Sequence, residues 1–181
     1  VSLITLEGNG MIGIPGFSKR LFEALSQEKI NVALITQASS EHSICIGINE
    51  ADTRKAQDVI NEAFAYEISL GKVEPLKTES DLAIIALVGD NMKNHQGISG
   101  RMFSTLGKNN VNIRAIAQGA SEKNISTVIA NKNIEKALNS LHNEFFENQI
   151  VSLNLFIVGV GNVGGKLIEQ IAAQENYLLE K

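Results

Sequence analysis

Residues 16–44 read GFSKRLFEALSQEKINVALITQASSEHSI, and residues 97–125 read GISGRMFSTLGKNNVNIRAIAQGASEKNI. Aligned without a gap at an offset of 81 positions, 11 of the 29 residues are identical, and most of the others are conservative exchanges. A period of about 80 residues exceeds the roughly 20 to 50 residues of a solenoid repeat, so it suits two small domains in tandem. Paired domains of this kind often share a site on the face where they meet.

The apolar pattern predicts the same order of strand, helix, strand, strand and helix in each copy. Apolar patterns predict strands at residues 1–6, 31–37, 44–48, 82–88, 111–118 and 124–130. Residues 44–48 alternate with a period of two, which predicts one buried face, whereas residues 32–35 form a continuous apolar run, which predicts a strand partly buried on both faces. Apolar stripes at helical spacing predict helices that begin near Gly16 and Gly97, and second helices capped by Asp52 and Asn133. Residues 72–76 are predicted as an edge strand, because Pro75 is tolerated only at an edge.

Each copy is therefore predicted to be an α+β sandwich, with helices on one face of an antiparallel sheet. Such a sheet has another face or edge left to bury. We expect the two copies to associate side by side or across a dimer axis.

Composition excludes several classes of function for this 181-residue chain. The net charge of −4 comes from interspersed acids and bases, which give no basic stripe for nucleic acid and no polybasic membrane anchor. The longest apolar runs fall far short of the roughly 20 residues of a membrane helix. Cys45 is the only cysteine, which fits a reducing cytoplasm and predicts a small core residue. His42, His95 and His142 show no metal-ligand spacing, so no metal site is predicted.

Three segments in order carry a family resemblance. Residues 16–22 (GFSKRLF), 34–41 (LITQASSE) and 115–122 (AIAQGASE) resemble the tandem ACT regulatory domains of aspartate kinases. Residues 155–165, LFIVGVGNVGG, resemble the opening of a homoserine dehydrogenase domain. Together they resemble the central part of the bifunctional aspartokinase/homoserine dehydrogenases of the threonine-sensitive type, and the resemblance covers essentially the whole chain.

The resemblance implies a fold of two tandem ferredoxin-like βαββαβ (ACT) modules, followed by a truncated Rossmann strand, turn and helix. The implied domains are residues 1–80, 81–149 and 150–181. The implied role is regulatory rather than catalytic: an end-product amino acid binds between modules and feedback-regulates the attached kinase and dehydrogenase. The implied effector-binding residues are Met11, Gly13, Ile14, Gly16, Phe17, Val32, Ala33, Gln37, Ser39 and Gln118.

The chemistry of an amino-acid ligand is compatible with these positions. The loop at residues 13–17 opens a helix, so its backbone N–H groups and the helix dipole suit a carboxylate. Gln37 and Gln118 each offer an amide donor and acceptor at the end of a strand. Glycine-rich turns before helices are common, however, and glutamines at strand ends also satisfy backbone groups, so the residues alone leave a purely structural role open.

Threonine is the favoured effector. In the resembling lysine-sensitive enzymes, an acidic residue at the position of Ala33 helps to hold the side-chain ammonium of the effector. An ammonium buried without a charged partner is costly, so Ala33 weighs against lysine.

The tail contains a G-x-G-x-x-G motif, Gly159, Gly161 and Gly164, after an apolar strand and at the start of a helix. In the parent enzyme this is expected to be the NAD(P) fingerprint, and the resemblance also implies ATP for the kinase. Only about 17 residues follow Gly164, so we expect no cofactor to bind this chain. Residues 150–158 are expected either to add a strand to the second module or to be disordered.

Two alternatives remain beside the main reading: a structural dimerisation module without a ligand, and a lysine-responsive aspartokinase domain. A catalytic nucleotide-binding fragment is disfavoured by the truncation of the glycine motif. The expected partners are a small effector and a second copy through the ACT sheets, with a tetramer allowed for the parent.

Overall fold

The computed structural model describes residues 1–37, 42–90, 92, 95–119, 123–147, 156, 158–159 and 161–174. Residues 1–147 form one compact unit and residues 148–181 a second. In the described part of the second unit, the helix α6 (Asn162–Ala173) follows Gly161 directly. None of the helices in the described ranges has the length and apolar character needed to cross a membrane.

The described part of the first module contains four strands and three α-helices. The strands are β1 (Ser2–Glu7), β2 (Val32–Gln37), β3 (Ser43–Ile48) and β4 (Lys77–Glu79). The helices are α1 (Phe17–Gln27), α2 (Thr53–Ala63) and α3 (Ala65–Ser69). The sheet has the order β2-β3-β1-β4 with antiparallel pairing throughout.

The second module repeats this arrangement. Its strands are β5 (Leu82–Val88), β6 (Ile113–Gln118) and β7 (Asn124–Ala130), and its helices are α4 (Ile98–Lys108) and α5 (Ile134–Phe145). The described strands pair antiparallel in the order β5-β7-β6. The predicted strand at residues 150–158 lies almost entirely outside the described residues.

Backbone irregularities recur at the sequence offset of 81. The register of β2 shifts between Val32 and Leu34, and that of β6 shifts between Ile113 and Ala115. Gly16 and Gly97 precede α1 and α4 with φ angles of 102° and 84°, in the left-handed region that favours glycine. The duplication therefore extends to the backbone geometry, and the predicted fold of two α+β modules with antiparallel sheets is confirmed.

Each module has its own core between the helices and one face of the sheet. In the first module the predicted stripes are buried, with Ile46, Ile60 and Phe64 at 1% exposure or less. In the second module, Met102 and Leu106 occupy the matching positions of the stripe and are fully buried. The opposite sides of the helices carry polar residues and face away from the sheet. The helices thus cover one face of each sheet only.

A third apolar cluster joins the two modules on the faces that the helices leave open. Leu3 and Leu34 of the first module pack with Leu82, Ala115 and Val128 of the second. Cys45 is half-buried beside this cluster, and burial raises the pKa of its thiol. The expected association of the two copies therefore occurs within one chain.

The edge strand of the first module lies later than predicted. Residues 72–76 are not a strand, and β4 begins at Lys77. Lys72 and Glu74 use their backbone groups elsewhere, since the carbonyl of Lys72 accepts from Gly10 and the N–H of Glu74 donates to the Glu7 carbonyl. Pro75 has no N–H to donate, so regular pairing with β1 starts only after it.

Two local predictions about helix starts and strand burial also need correction. Asp52 stands directly before α2 but makes no side-chain capping bond; the Asn49 carboxamide instead accepts from the Ala51 N–H, and the Thr53 hydroxyl donates to the Glu50 carbonyl. In β2, Ile35 is 50% exposed, so this strand is buried on one face only. The sequence pattern also did not predict α3.

Candidate functional site

The first cavity lies between the loop after β1 and the ends of β2 and β3. Its volume is about 330 Å³, and its lining residues are Met11, Gly13, Ile14, Pro15, Gly16, Phe17, Ser18, Gln37 and Ile44. Buried Met11, Phe17 and Ile44 give it an apolar floor, and the exposed loop and Gln37 give it a polar rim. This combination suits a small ligand with one apolar side and several polar groups.

Backbone hydrogen bonds hold the loop that borders this cavity against Lys72 and His42. The N–H of Gly10 donates to the Lys72 carbonyl, and that of Gly8 donates to the His42 carbonyl. A Cβ atom on Gly8 would lie 2.3 Å from the Lys72 carbonyl oxygen, so no larger residue fits without movement. Two glycines therefore fix the path of the loop, which in turn sets where α1 begins.

Arg20 connects α1 to the second and third helices of the module. Its guanidinium donates to both carboxylate oxygens of Glu67, at 2.6 and 3.1 Å, and to the carbonyl of Ala63 at 2.5 Å. It also lies 4.6 Å from the ring centre of Phe64, which stacks on Phe17. The bidentate contact holds the pKa of Glu67 below its usual value. The ion pair of Arg20 and Glu67 thus supports Phe64 and, through it, the cavity-lining ring of Phe17.

The second cavity is the counterpart of the first at the offset of 81. It has a volume of about 360 Å³ and is lined by Met92, His95, Gln96, Gly97, Ile98, Ser99, Gln118 and Ile125. Arg101 repeats the contact of Arg20, since it donates to the Glu144 carbonyl at 2.7 Å and lies 4.7 Å from the Phe145 ring centre. The duplicated chain thus builds one cavity twice.

One side-chain contact distinguishes the two cavities. The Ser99 hydroxyl donates to the Gln118 amide oxygen at 3.1 Å. Among the described residues, the equivalent Ser18 and Gln37 form no such bond. The rim also differs, because His95 and Gln96 replace Ile14 and Pro15.

A third cavity lies between the facing edge strands β2 and β6, with a volume of about 490 Å³. Both glutamines border it: Gln37 is shared with the first cavity and Gln118 with the second. Its lining residues are Ala33, Leu34, Ile35, Thr36, Gln37, Ile116, Ala117, Gln118, Gly119, Asn124 and Ser126. Among the described residues that line the three cavities, none carries a carboxylate.

The structure brings together most of the residues predicted from the sequence. Ala33 borders the third cavity, and Gln118 the second and third. Val32 is half-buried against the first core and lines none of these cavities, while Ser39 lies outside the described residues. The predicted residues that line the first cavity are Met11, Gly13, Ile14, Gly16, Phe17 and Gln37. Their role in effector binding stays a prediction.

Sequence reasoning missed most of the second cavity, although the repeat contained the signal. Shifting the predicted residues by 81 positions gives Met92, His95, Gly97 and Ile98, all of which line it. Ser18 and Ser99 were also missed, because a serine in the first turn of a helix is common and only its contacts reveal a role.

The glycine motif of the tail lies in the described part of the second unit, and its role in dinucleotide binding stays a prediction. Gly159 has a φ angle of 93°, and Gly161 precedes the 12-residue helix α6, while Gly164 lies within it. These residues would hold a pyrophosphate at a helix N-terminus. The described residues of this unit contain one helix, α6, and no strand. In the described ranges, no cluster of three metal-ligating side chains occurs.

Comparison with known proteins identifies the family of the duplicated unit. The family model described as "ACT domain" matches residues 4–64 and again residues 85–145. This chain belongs to the ACT domain family. The two matched segments are related by the same offset of 81, so the recognition of tandem ACT modules is confirmed.

Curated relatives of these ACT modules are similar over the whole chain. A bifunctional aspartokinase/homoserine dehydrogenase of Haemophilus influenzae is 42% identical over 183 residues, which cover 100% of this chain and 22% of that protein. The chloroplastic bifunctional aspartokinase/homoserine dehydrogenase 1 of Arabidopsis thaliana is 36% identical, with 100% and 20% covered. The chain thus spans about a fifth of the length of these relatives.

A solved structure shows the same arrangement. The E. coli aspartokinase III complex with lysine and aspartate superimposes with a TM-score of 0.63 at 28% identity, covering 81% of this chain and 31% of that one. The ACT modules of this chain are therefore of the aspartokinase type, which makes the chain a regulatory region.

Proposed function

We propose that this chain is the effector-binding region of a bifunctional aspartokinase/homoserine dehydrogenase, and that threonine is the effector. In this proposal residues 1–80 and 81–149 are the two ACT modules, and residues 150–181 begin the dehydrogenase domain. The observation that carries the proposal is the duplicated cavity, which places a glutamine at a strand end opposite the first turn of a helix in both modules.

The first cavity can receive each part of a small amino acid. Phe17 and Ser18 form the first turn of α1, where backbone N–H groups have no intrahelical partner and favour a carboxylate. The Gln37 amide oxygen is an acceptor for the ammonium group. The apolar side chains of Met11 and Ile44 would contact the short side chain of the bound amino acid.

The lack of carboxylates among the described lining residues, together with Ala33, supports threonine over lysine. A lysine effector would bring a second ammonium group into cavities whose described lining residues include no acid, and an ammonium without a partner is costly to desolvate. The methyl and hydroxyl groups of threonine need only apolar contact and one hydrogen-bond partner.

The regulatory mechanism is a population shift between packings of the two modules. Gln37 and Gln118 face the third cavity from opposite strands, so an effector bound at either one contacts the boundary between the modules. An effector that prefers one packing transmits a coupling free energy of typically about 1 to 3 kcal/mol to attached domains.

The complete enzyme would use ATP and NAD(P) as cofactors and act in the cytoplasm. It would form dimers through the ACT sheets, and a tetramer is allowed.

The test is calorimetric titration of the chain with threonine, lysine, methionine and NADP. Saturable binding of threonine alone supports the proposal. Gln37→Ala should weaken that binding while the protein remains folded. The matched control is Gln57→Ala, since Gln57 bonds to Thr78 on the outer strand and lines none of the cavities.

The other outcomes identify the alternatives. Binding of lysine alone would indicate a lysine-responsive aspartokinase domain. A dimer whose melting temperature does not change when any of the amino acids is added would indicate a dimerisation module without a ligand. The reason is that a ligand that binds the folded state must raise its stability.

A further inference from the structure

We infer that Ser99 is a positioning residue that fixes the amide of Gln118, so that the second cavity presents hydrogen-bond donors to its ligand while the first can present either polarity. The inference deepens the proposed function, because it assigns different recognition properties to the two effector cavities.

The first step of the argument is the equivalence of the backbone. Gln37 pairs with Ile44 and Gln118 with Ile125, at matching places in the two sheets. Ser18 and Ser99 are both the second residue of a helix that follows a glycine with positive φ. The two serine and glutamine pairs therefore start from the same framework, and any difference between them arises from side chains.

The second step is the chemistry of the contact. A hydroxyl can donate or accept, but a carboxamide presents an oxygen that only accepts and an NH₂ group that only donates. Because the Ser99 hydroxyl donates to Gln118 Oε1 at 3.1 Å, one of the two lone pairs of the amide oxygen is engaged with the helix, whereas both N–H donors of the NH₂ group are left for the ligand. The second cavity should therefore select its ligand through an acceptor, such as a carboxylate or hydroxyl oxygen.

The third step is the contrast with the first cavity. Within the described residues the Gln37 side chain is not hydrogen-bonded to Ser18; both glutamines are exposed, so this hydrogen bond is the difference between them. Its amide can turn about its terminal torsion, which is broad and roughly two-fold. Gln37 can thus offer its oxygen to an ammonium or its NH₂ group to a carboxylate. The same residue pair is consequently preset in one module and adaptable in the other.

The direct experiment measures the two glutamine side chains without any ligand. In the uniformly ¹⁵N-labelled 181-residue chain, heteronuclear NOEs of the side-chain NH₂ groups report their order. The two signals are assigned by their disappearance in Gln118→Glu and Gln37→Glu. We expect a high NOE for Gln118 and a low one for Gln37. Ser99→Ala should lower the Gln118 value to that of Gln37, and Ser99→Thr, which keeps the hydroxyl, should retain it.

A matched control is Ser140→Ala, which removes a serine hydroxyl that bonds within α5 and lines none of the cavities. It should leave both NOEs unchanged. Equal order of Gln118 and Gln37 in the wild type, or an unchanged Gln118 signal in Ser99→Ala, would overturn the inference. Because no effector is present, either result is independent of the proposed function.

A second measurement follows the consequence for binding. In the Gln37→Ala background, threonine titration reports on the second cavity alone. We expect Ser99→Ala to weaken this binding about two- to tenfold, the effect of one neutral hydrogen bond, and Ser99→Thr to restore it. Wild-type threonine binding together with an unchanged second-cavity affinity in Ser99→Ala contradicts the inference alone, whereas a wild type that binds no threonine contradicts the proposed function.

Discussion

A single buried polar group can change the free energy of unfolding, and Thr127 provides such a group in the core of the second module. It is completely buried on β7, and its hydroxyl has no hydrogen-bond partner in the part of the chain that the structure describes. The equivalent residue of the first module is Ile46. A buried hydroxyl without a partner keeps its desolvation cost, so Thr127→Val should raise the free energy of unfolding by about 1 kcal/mol. Urea unfolding measures the change.

The control for this substitution is Thr53→Val. The Thr53 hydroxyl contacts both the Ser2 hydroxyl and the Glu50 carbonyl, so the same exchange should destabilise the protein there. A destabilised Thr127→Val variant would mean that the hydroxyl has a partner in solution.

The Arg20 and Glu67 pair gives a residue-level prediction about pH. Because the pKa of Glu67 is lowered in the folded state, the pair stabilises the fold above the unfolded pKa, and this stabilisation disappears as the pH falls through the folded value. Between about pH 5 and pH 3, Glu67→Gln should therefore lose less stability than the wild type. Melting temperatures across this window test it, with the exposed Glu62→Gln as control. Parallel curves for Glu67→Gln and the wild type would contradict the pairing.

At the scale of elements, the loop between β1 and α1 depends on a close approach that only glycine permits. A Cβ atom on Gly8 would lie 2.6 Å from the Cα of Val73 as well as 2.3 Å from the Lys72 oxygen. Overpacking of this kind costs about 1 to 3 kcal/mol, so Gly8→Ala should lower the free energy of unfolding by this amount. It should also weaken threonine binding, because the loop borders the first cavity.

Gly107→Ala is the matched control for the loop prediction. Gly107 lies within α4, where a new Cβ atom meets nothing within 4 Å. Alanine is the better helix former, so this variant should be more stable by about 0.5 to 1 kcal/mol. If Gly8→Ala raised the free energy of unfolding as Gly107→Ala does, backbone entropy rather than the close approach would govern the loop.

The elements also show what a sequence can and cannot predict. The alternation of Ile44, Ile46 and Ile48 and the helical stripes were sufficient to place the longer strands and helices, though not the five-residue α3, because burial on one face leaves a periodic pattern. The edge strand β4 could not be placed, since residues 72–74 are held by contacts with β1 and its following loop, which are about 60 residues distant in sequence. Likewise, the repeat placed Gln37 and Gln118 at the same position of the two copies, but the Ser99 bond to Gln118 depends on side-chain placement, which a sequence repeat does not show.

At the scale of the whole molecule, the apolar cluster between the two modules should dominate over the ion pair that also joins them. Arg114 of β6 pairs with Glu79 of β4 at 2.9 Å, but both side chains are more than one third exposed. Leu34, in contrast, is 5% exposed within the shared cluster. Pairs in contact with solvent contribute about 0 to 1 kcal/mol, whereas truncating a buried leucine costs about 2 to 5 kcal/mol.

We therefore expect Leu34→Ala to lower the free energy of unfolding by at least about 2 kcal/mol and Arg114→Ala to lower it by less than about 1 kcal/mol. Leu138→Ala is the control for leucine truncation, since Leu138 is 50% exposed on α5 and should tolerate the change. Urea unfolding of the three variants gives the order directly. Because Leu34 lies three residues before Gln37 on β2, the Leu34→Ala variant should also weaken threonine binding, while Leu138→Ala should not. A larger loss for Arg114→Ala than for Leu34→Ala would show that charge, not apolar packing, holds the modules together.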